Sequence, residues 1–260
     1  MSLPFSLGDP EPLMRRRSAS QSRTRKPHAP EGAARTRRSL LGGALTRRER
    51  WGLEPRGWFA LLILLMAASF WFIQNLYPFL APREPVDSSV LVIEGFLSDE
   101  GYRQVAREYL ARPGAKVYVV GGPLDQGSYL SEYQTLARVG AETLKKLGVP
   151  AADVVEVAAP RTRRDRTFAS ALALRRYFDE RSLSVESFNL YSPGSHARRS
   201  RLLYQLAFED GASVGILPLD EGAFEASQWW RSSAGFRTVL GELIAYPYAL
   251  WFKYTRAGEF

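Results

Sequence analysis

Residues 188–206 read Phe-Asn-Leu-Tyr-Ser-Pro-Gly-Ser-His-Ala-Arg-Arg-Ser-Arg-Leu-Leu-Tyr-Gln-Leu. The first four residues favour a buried strand, the small residues at 192–195 favour a turn, and the leucines that follow favour a helix. A turn between a strand and a helix exposes backbone N–H groups at the positive end of the helix, where anions bind readily. The sequence therefore predicts a ligand site at residues 192–199.

The same alternation of strand and helix continues outward over residues 89–260. Apolar strands are predicted at 89–94, 116–121, 154–157, 187–191 and 214–217. Between them, apolar residues recur at helical spacing over 102–110, 133–147 and 168–178. Near-continuous Val, Ile and Leu are typical of parallel strands buried on both faces, and parallel strands need helical crossovers. We therefore predict a three-layer α/β domain with a parallel sheet of about five strands.

A further helical stripe lies near the C-terminus, formed by Phe236, Val239 and Leu243 with Glu242 among them. Pro247 is expected to end or kink this helix. The aromatic residues at 246–252 are too few to span a bilayer. We expect them to pack on the domain, and the alternative is a contact with the membrane surface near the anchor described next.

Residues 58–80 contain no charged side chain. As a helix they span about 33 Å, enough for a hydrocarbon core of about 30 Å. Trp58 and Tyr77 lie near the ends of this stretch, where interfacial aromatic residues prefer to lie. We predict an uncleaved transmembrane anchor at 57–80, followed by a proline-stiffened linker at 81–88.

The net charge of +8 is confined to the N-terminal tail. Residues 1–56 hold 13 basic and 5 acidic side chains, and the rest of the chain is neutral. A neutral domain has no basic field for nucleic acid, so nucleic acid is not an expected partner. The tail is rich in Arg, Ser, Pro and Gly and is predicted to be disordered. Its arginines precede the anchor, which predicts a cytoplasmic tail and an extracytoplasmic domain.

The carboxyl ends of parallel strands mark the place where ligands bind in such a sheet. Several turns follow the predicted strands, and we expect them to meet in one crevice. Glu132, at the start of the predicted second helix of the domain, is a further candidate. The candidates from these turns and helix starts are Glu94, Gly95, Gly121, Gly122, Glu132, Arg166, Thr167, Ser195, His196 and Arg199.

His196 is the only histidine outside the tail, and Arg199 follows it by one helical turn. Three roles are open for His196: a general acid or base, a metal ligand, or a helix-start residue bonded to a loop carbonyl. Metal is the least supported, because the chain has no cysteine and zinc takes three or four protein ligands. We predict proton transfer by His196, with Glu94 or Glu132 as its partner. Glu94 has an alternative role as a structural acid paired with an arginine.

The chain resembles the YdcF/SanA/ElyC family of bacterial envelope proteins over about residues 86–250. The resemblance is carried by an ordered set of short matches: Glu94-Gly95, Gly121-Gly122, Ser131-Glu132, Gly148-Val149-Pro150, His196 with Arg199, and Trp229 to Ser233. The family commonly has Thr-x-Glu-Asn-Ala after the third strand. Here the aligned residues are Thr167-Phe168-Ala169-Ser170-Ala171, so the family's Glu and Asn are absent, and Ser170, at the Asn position, is a further ligand-binding candidate.

The resemblance implies a Rossmann-like fold behind a single anchor in the bacterial inner membrane. It also implies a part in cell-wall or envelope-polymer biogenesis. We expect the crevice to bind an anionic, phosphate-bearing metabolite such as a lipid-linked sugar phosphate, and the sequence names no cofactor and no protein partner. Two alternatives stay open: a non-catalytic envelope scaffold or regulator, and a protein that binds a nucleotide or S-adenosylmethionine.

Overall fold

The computed structural model describes residues 39–40, 45–47, 51–111, 113–209 and 211–256. The chain divides into two units at Ala60 and Leu61. In the first unit, β1 (Ser39–Leu40), β2 (Leu45–Arg47) and β3 (Trp51–Leu53) pair as a small antiparallel sheet. Most of the tail predicted to be disordered lies outside the described residues. The part of the tail that the structure describes contains these three short strands.

The predicted anchor is one continuous helix, α1 (Pro55–Leu80). Proline suits the first helical position, because its missing N–H has no partner there in any helix. The helix is long and apolar enough to cross a membrane, and nearly all of its most apolar stretch is exposed.

The second unit contains a five-stranded, all-parallel sheet, which confirms the predicted fold class. Its strands are β4 (Val90–Glu94), β5 (Lys116–Gly121), β6 (Val154–Ala158), β7 (Ser187–Pro193) and β8 (Ser213–Leu219). They are arranged in the order β6-β5-β4-β7-β8. The chain first winds outward from β4 to β6 and then returns to the other side of β4. The direction of winding therefore reverses between β4 and β7, which is where open α/β sheets bind ligands.

Helices cover both faces of this sheet and make three layers. On one face, α2 (Asp99–Ala111) and α3 (Leu136–Lys146) pack on Ile93, Val117 and Val119. On the other, α4 (Arg166–Glu180), α5 (Ala197–Phe208) and the end of α6 (Ser233–Arg256) pack on Phe188 and Ile216. The strands are buried on both sides, as their apolar composition predicts.

The structure adds detail to two local expectations. The predicted linker at 81–88 is bonded to the domain, because Glu84 exchanges two backbone hydrogen bonds with Ile216 of β8 and Asn189 binds the backbone of Val86. The α6 helix does not end at Pro247, where an end or a kink was expected. The burial of Val239 before this proline and of Ala249 after it explains the difference, because tertiary packing outweighs one lost backbone hydrogen bond.

A close approach between a glycine and a helix sets the position of α3. A Cβ atom on Gly121 would lie 2.7 Å from the backbone nitrogen of Ala137, whereas a Cβ on the neighbouring Gly122 would meet nothing within 4 Å. Gly121 therefore lets the start of α3 pack against the end of β5.

We expect Gly121→Ala to lower the free energy of unfolding by about 1–3 kcal/mol, because α3 must shift to make room for the methyl group. Gly122→Ala is the matched control, and we expect it to change stability little. Denaturant unfolding of the full chain in detergent measures both. Equal losses in the two variants would contradict this packing role.

Candidate functional site

A cavity of about 490 Å³ opens at the carboxyl edge of the sheet. The turns that follow β4, β5, β6 and β7 all contribute to its wall, as do the start of α4 and Tyr248 of α6. Its lining residues are Phe96, Gly121, Gly122, Pro123, Asp125, Leu136, Ala159, Pro160, Arg161, Thr162, Arg163, Asp165, Arg166, Thr167, Ser170, His196, Arg199 and Tyr248. The turns expected to meet in one crevice thus do meet there.

Glu94 ends β4 directly behind this cavity and is only 2 % exposed. Its two carboxylate oxygens accept hydrogen bonds from the Ser200 hydroxyl at 2.9 and 3.0 Å, and Ser200 in turn contacts Ser192. Burial raises the pKa of Glu94, and the nearby His196, Ser192, Ser200 and Arg199 oppose this rise only in part. The carboxyl group of Glu94, at the end of β4, therefore stays protonated to a higher pH than that of an exposed glutamate.

His196 lies between two carboxylates. Its Nδ1 is 2.8 Å from Oε1 of Glu242, and its Nε2 is 3.9 Å from Oε1 of Glu94. Nε2 also faces the Thr167 hydroxyl at 3.4 Å, and Phe96 packs edge-on against the ring. Glu242 comes from α6, far along the chain, so the C-terminal helix completes the site.

The contacts of Glu242 favour one tautomer of His196. Arg199 donates from Nε and Nη2 to the two oxygens of Glu242 at 2.8 and 3.0 Å. Arg199 Nη2 also lies 2.9 Å from His196 Nδ1, but this nitrogen has two N–H groups, of which one serves Glu242, so it does not decide the tautomer. The carboxylate can only accept, and its 2.8 Å approach to Nδ1 favours a proton on that nitrogen. In the neutral ring, Nε2 is then left as the basic nitrogen, directed at Glu94 and Thr167.

The ion pairs around Glu242 control its own charge. Burial would raise the pKa of Glu242, but hydrogen bonds from Arg199 and His196, together with their charges, outweigh it and lower the pKa to about 2. Glu242 is thus a fixed negative charge, whereas burial favours the protonated form of Glu94. Two carboxyl groups with opposite pKa shifts flank a single imidazole, which is an arrangement typical of acid–base sites.

The opposite wall of the cavity is basic. Arg161, Arg163 and Arg166 line it and are exposed. Arg166 pairs with Asp125 at 2.6 Å, whereas within the described part of the chain Arg161 and Arg163 form no ion pair. The first turn of α4 has no side-chain cap: Asp165 at the N-cap position has a left-handed backbone, and its Oδ1 accepts from the Tyr248 hydroxyl at 3.4 Å. Positive side chains and a helix N-terminus therefore face the same space.

Most of the residues predicted from sequence meet at this cavity, and four do not line it. Glu94 lies behind His196. Gly95 is buried where a Cβ would lie 2.9 Å from the backbone of Leu136, so it serves packing. Ser195 is buried, and its hydroxyl has no hydrogen-bond partner among the described residues.

The fourth residue, Glu132, is exposed and does not start a helix. The Thr135 hydroxyl accepts a hydrogen bond from the backbone N–H of Arg138 at 3.0 Å and caps α3, which therefore begins at Leu136. Glu132 lies in the preceding loop and is not a partner of His196.

Sequence reasoning missed Glu242, and a sequence pattern could have found it. Glu242 is the one acid within the apolar stripe of α6. A charge at such a position is buried only when it is paired. That pattern predicts a partner but cannot name His196 and Arg199, which depend on how α6 packs.

Neither the comparisons with known proteins nor the arrangement of potential metal ligands assigns a function to this site. No protein-family model and no curated protein matches the chain. Among the described residues, no group of three or more His, Cys, Asp or Glu side chains is arranged to hold a metal ion.

We expect Glu94→Gln to remove a pH-dependent loss of stability. Since burial raises the pKa of Glu94 in the folded state, the unfolded chain releases this proton first, and stability falls as pH rises from the ordinary glutamate range toward the folded pKa. The variant should gain thermal stability relative to the wild type at pH 8, and the gain should vanish toward pH 4. Glu180→Gln, at an exposed carboxylate, is the control. A constant difference across pH would be inconsistent with the raised pKa.

We expect Glu242→Gln to lower the free energy of unfolding at pH 7 by about 3 kcal/mol, because the carboxylate pKa of about 2 is well below its unfolded value. This contribution is fully present above the unfolded pKa and is lost as pH falls through the folded pKa. The two proteins should therefore converge between pH 4 and pH 2. Glu209→Gln removes a more exposed pair with Arg175 and should cost far less. Similar losses in both variants would argue against a special role for Glu242.

Proposed function

We propose that this chain is a membrane-anchored bacterial envelope protein of the YdcF/SanA/ElyC type. Its cavity binds an anionic, phosphate-bearing ligand, and His196 transfers a proton at that ligand. The tail lies in the cytoplasm, α1 spans the inner membrane, and the α/β domain acts outside the cytoplasm in cell-wall or envelope-polymer biogenesis. The resemblance in motif order, the apolar helix and the arginines that precede it support these assignments.

The observation that carries the proposal is the pairing of a basic wall with an oriented histidine in one cavity. Arg161 and Arg163 have no acidic partner among the described residues, and the uncapped start of α4 adds its positive end. Guanidinium groups and helix N-termini are the usual protein partners of phosphate oxygens. A phosphate-type anion accepts hydrogen bonds both from these guanidinium groups and from the N-terminus of α4.

His196 is suited to proton transfer because its orientation is fixed. Glu242 accepts a hydrogen bond from Nδ1 at 2.8 Å, and Nε2 faces Thr167, which lines the cavity, and Glu94 behind it. Arg199 is chiefly a clamp on Glu242, because two of its nitrogens donate to that carboxylate. The phosphate ligand is therefore expected on Arg161, Arg163 and Arg166 rather than on Arg199.

The end of α1 supports a ligand that comes from the membrane surface. A Cβ on Gly194 would lie 2.1 Å from the Tyr77 hydroxyl, and Arg198 both donates to the Phe79 carbonyl and stacks on its ring. Gly194 and Arg198 flank His196 in the chain. The anchor thus ends next to the site, which favours a lipid-linked phosphate over a ligand free in solution.

The test is calorimetric titration of pyrophosphate into the full chain held in lipid nanodiscs. We expect Arg163→Gln to weaken binding by roughly 10- to 150-fold, because a hydrogen-bonded charge of this kind contributes about 1.5–3 kcal/mol. Arg176→Gln removes the same charge from the exposed side of α4 outside the cavity and is the matched control. We expect it to leave the affinity nearly unchanged.

His196→Gln separates binding from chemistry in the same titration. Because the proposed role of His196 is proton transfer, the variant should bind pyrophosphate about as well as the wild type. Absence of pyrophosphate binding by the wild type, or equal weakening by the Arg163 and Arg176 variants, would refute the proposed ligand class. Binding of S-adenosylmethionine in place of pyrophosphate would favour the nucleotide-type alternative.

A further inference from the structure

The last two turns of α1 do not lie free of the domain. Leu76 and Leu80 are 4 % and 1 % exposed and belong to a small core with Trp229 and Val239. The Trp229 indole N–H donates to the Ile73 carbonyl at 3.2 Å. Residues 73–80 of the anchor are therefore part of the folded domain.

This packing leaves too little undocked helix to cross a membrane without residues 73–80. The charge-free stretch begins at Trp58, so residues 58–72 are the part not bound to the domain. Fifteen helical residues span about 22 Å, whereas a hydrocarbon core is about 30 Å thick. The remaining thickness of the hydrocarbon core, about 8 Å, must therefore be spanned by residues 73–80, together with the domain surface that surrounds them.

That surface has the composition of a membrane interface. Three aromatic side chains that are not fully buried lie at the end of α1 and form what we call the collar: Phe224, Trp230 and Phe236. Phe236 is 49 % exposed. Two exposed arginines, Arg231 and Arg237, flank the collar. Aromatic rings at headgroup depth with arginines beside them match a bilayer surface that carries anionic lipids.

We propose that the collar is embedded in the headgroup region of the bilayer that α1 crosses, so that the domain lies against the membrane instead of standing away from it. The collar follows the carboxyl end of β8, and the cavity opens at the same edge of the sheet. The candidate site is therefore held close to the lipid surface. This inference rests on the membrane-anchoring part of the proposed function and not on the ligand.

The test uses the absence of cysteine from the chain, which makes every introduced thiol unique. The full-length variants Phe236→Cys, Met66→Cys and Leu183→Cys are labelled with an environment-sensitive fluorophore. Each is reconstituted in vesicles of phosphatidylethanolamine and phosphatidylglycerol, with or without spin-labelled lipid as a quencher. Position 66 reports the span, and position 183, which precedes β7 at the opposite edge of the sheet, reports the surface away from the membrane.

We expect quenching at position 236 of about half the extent seen at position 66, and little at position 183. Arg237→Cys, at a neighbouring exposed residue, is a second collar probe should the Phe236 variant fold poorly, and the same quenching is expected there. Quenching at 66 without quenching at 236 and 237 overturns the collar proposal alone. A blue-shifted but unquenched label at 236 shows a protein contact and also overturns it. Absence of quenching at position 66 would show that α1 is not inserted in the bilayer.

Discussion

A buried carboxyl group at the end of the central strand constrains the whole carboxyl edge of the sheet. Glu94 has almost no contact with solvent, so its oxygens must find donors inside the protein. Ser200 of α5 supplies them, and Ser192 of β7 supports Ser200. The small polar residues at the end of β7 and the start of α5 are therefore needed next to β4. The hydrogen bonds to Glu94 therefore hold the turn that carries His196 at the point where the strand order reverses.

The second constraint comes from α6 and is electrostatic. Glu242 is held as an anion by Arg199 and His196, so the C-terminal helix is joined to the start of α5 by charge-assisted hydrogen bonds. The same helix buries Val239 against the end of α1 and Ala249 against the main core. One helix thus connects the long apolar helix α1, the oriented histidine and the sheet.

Different physical forces explain why the fold was predictable and part of the site was not. Burial on both faces forces Val, Ile and Leu into each strand, and a helix packed on one side repeats apolar residues every three or four positions, so both leave regular patterns. The crevice at the strand ends follows from these patterns because parallel strands align their carboxyl ends. Glu132 was misjudged because the Thr135 cap decides where α3 starts. Pro247 was expected to end or kink α6, and the helix does not end there because burial on both sides of the proline holds it together.

The sequence by itself determined the parallel α/β domain, the apolar helix before it and the turn that carries His196 and Arg199, because these depend on local patterning. Only the tertiary structure decided the contacts of His196 with Glu94 and Glu242, the pairing of Glu242 with Arg199, and the docking of residues 73–80 on the domain. Those features join segments far apart in the chain, and each depends on distances of a few ångströms between side chains. Local periodicity contains no information about such distances.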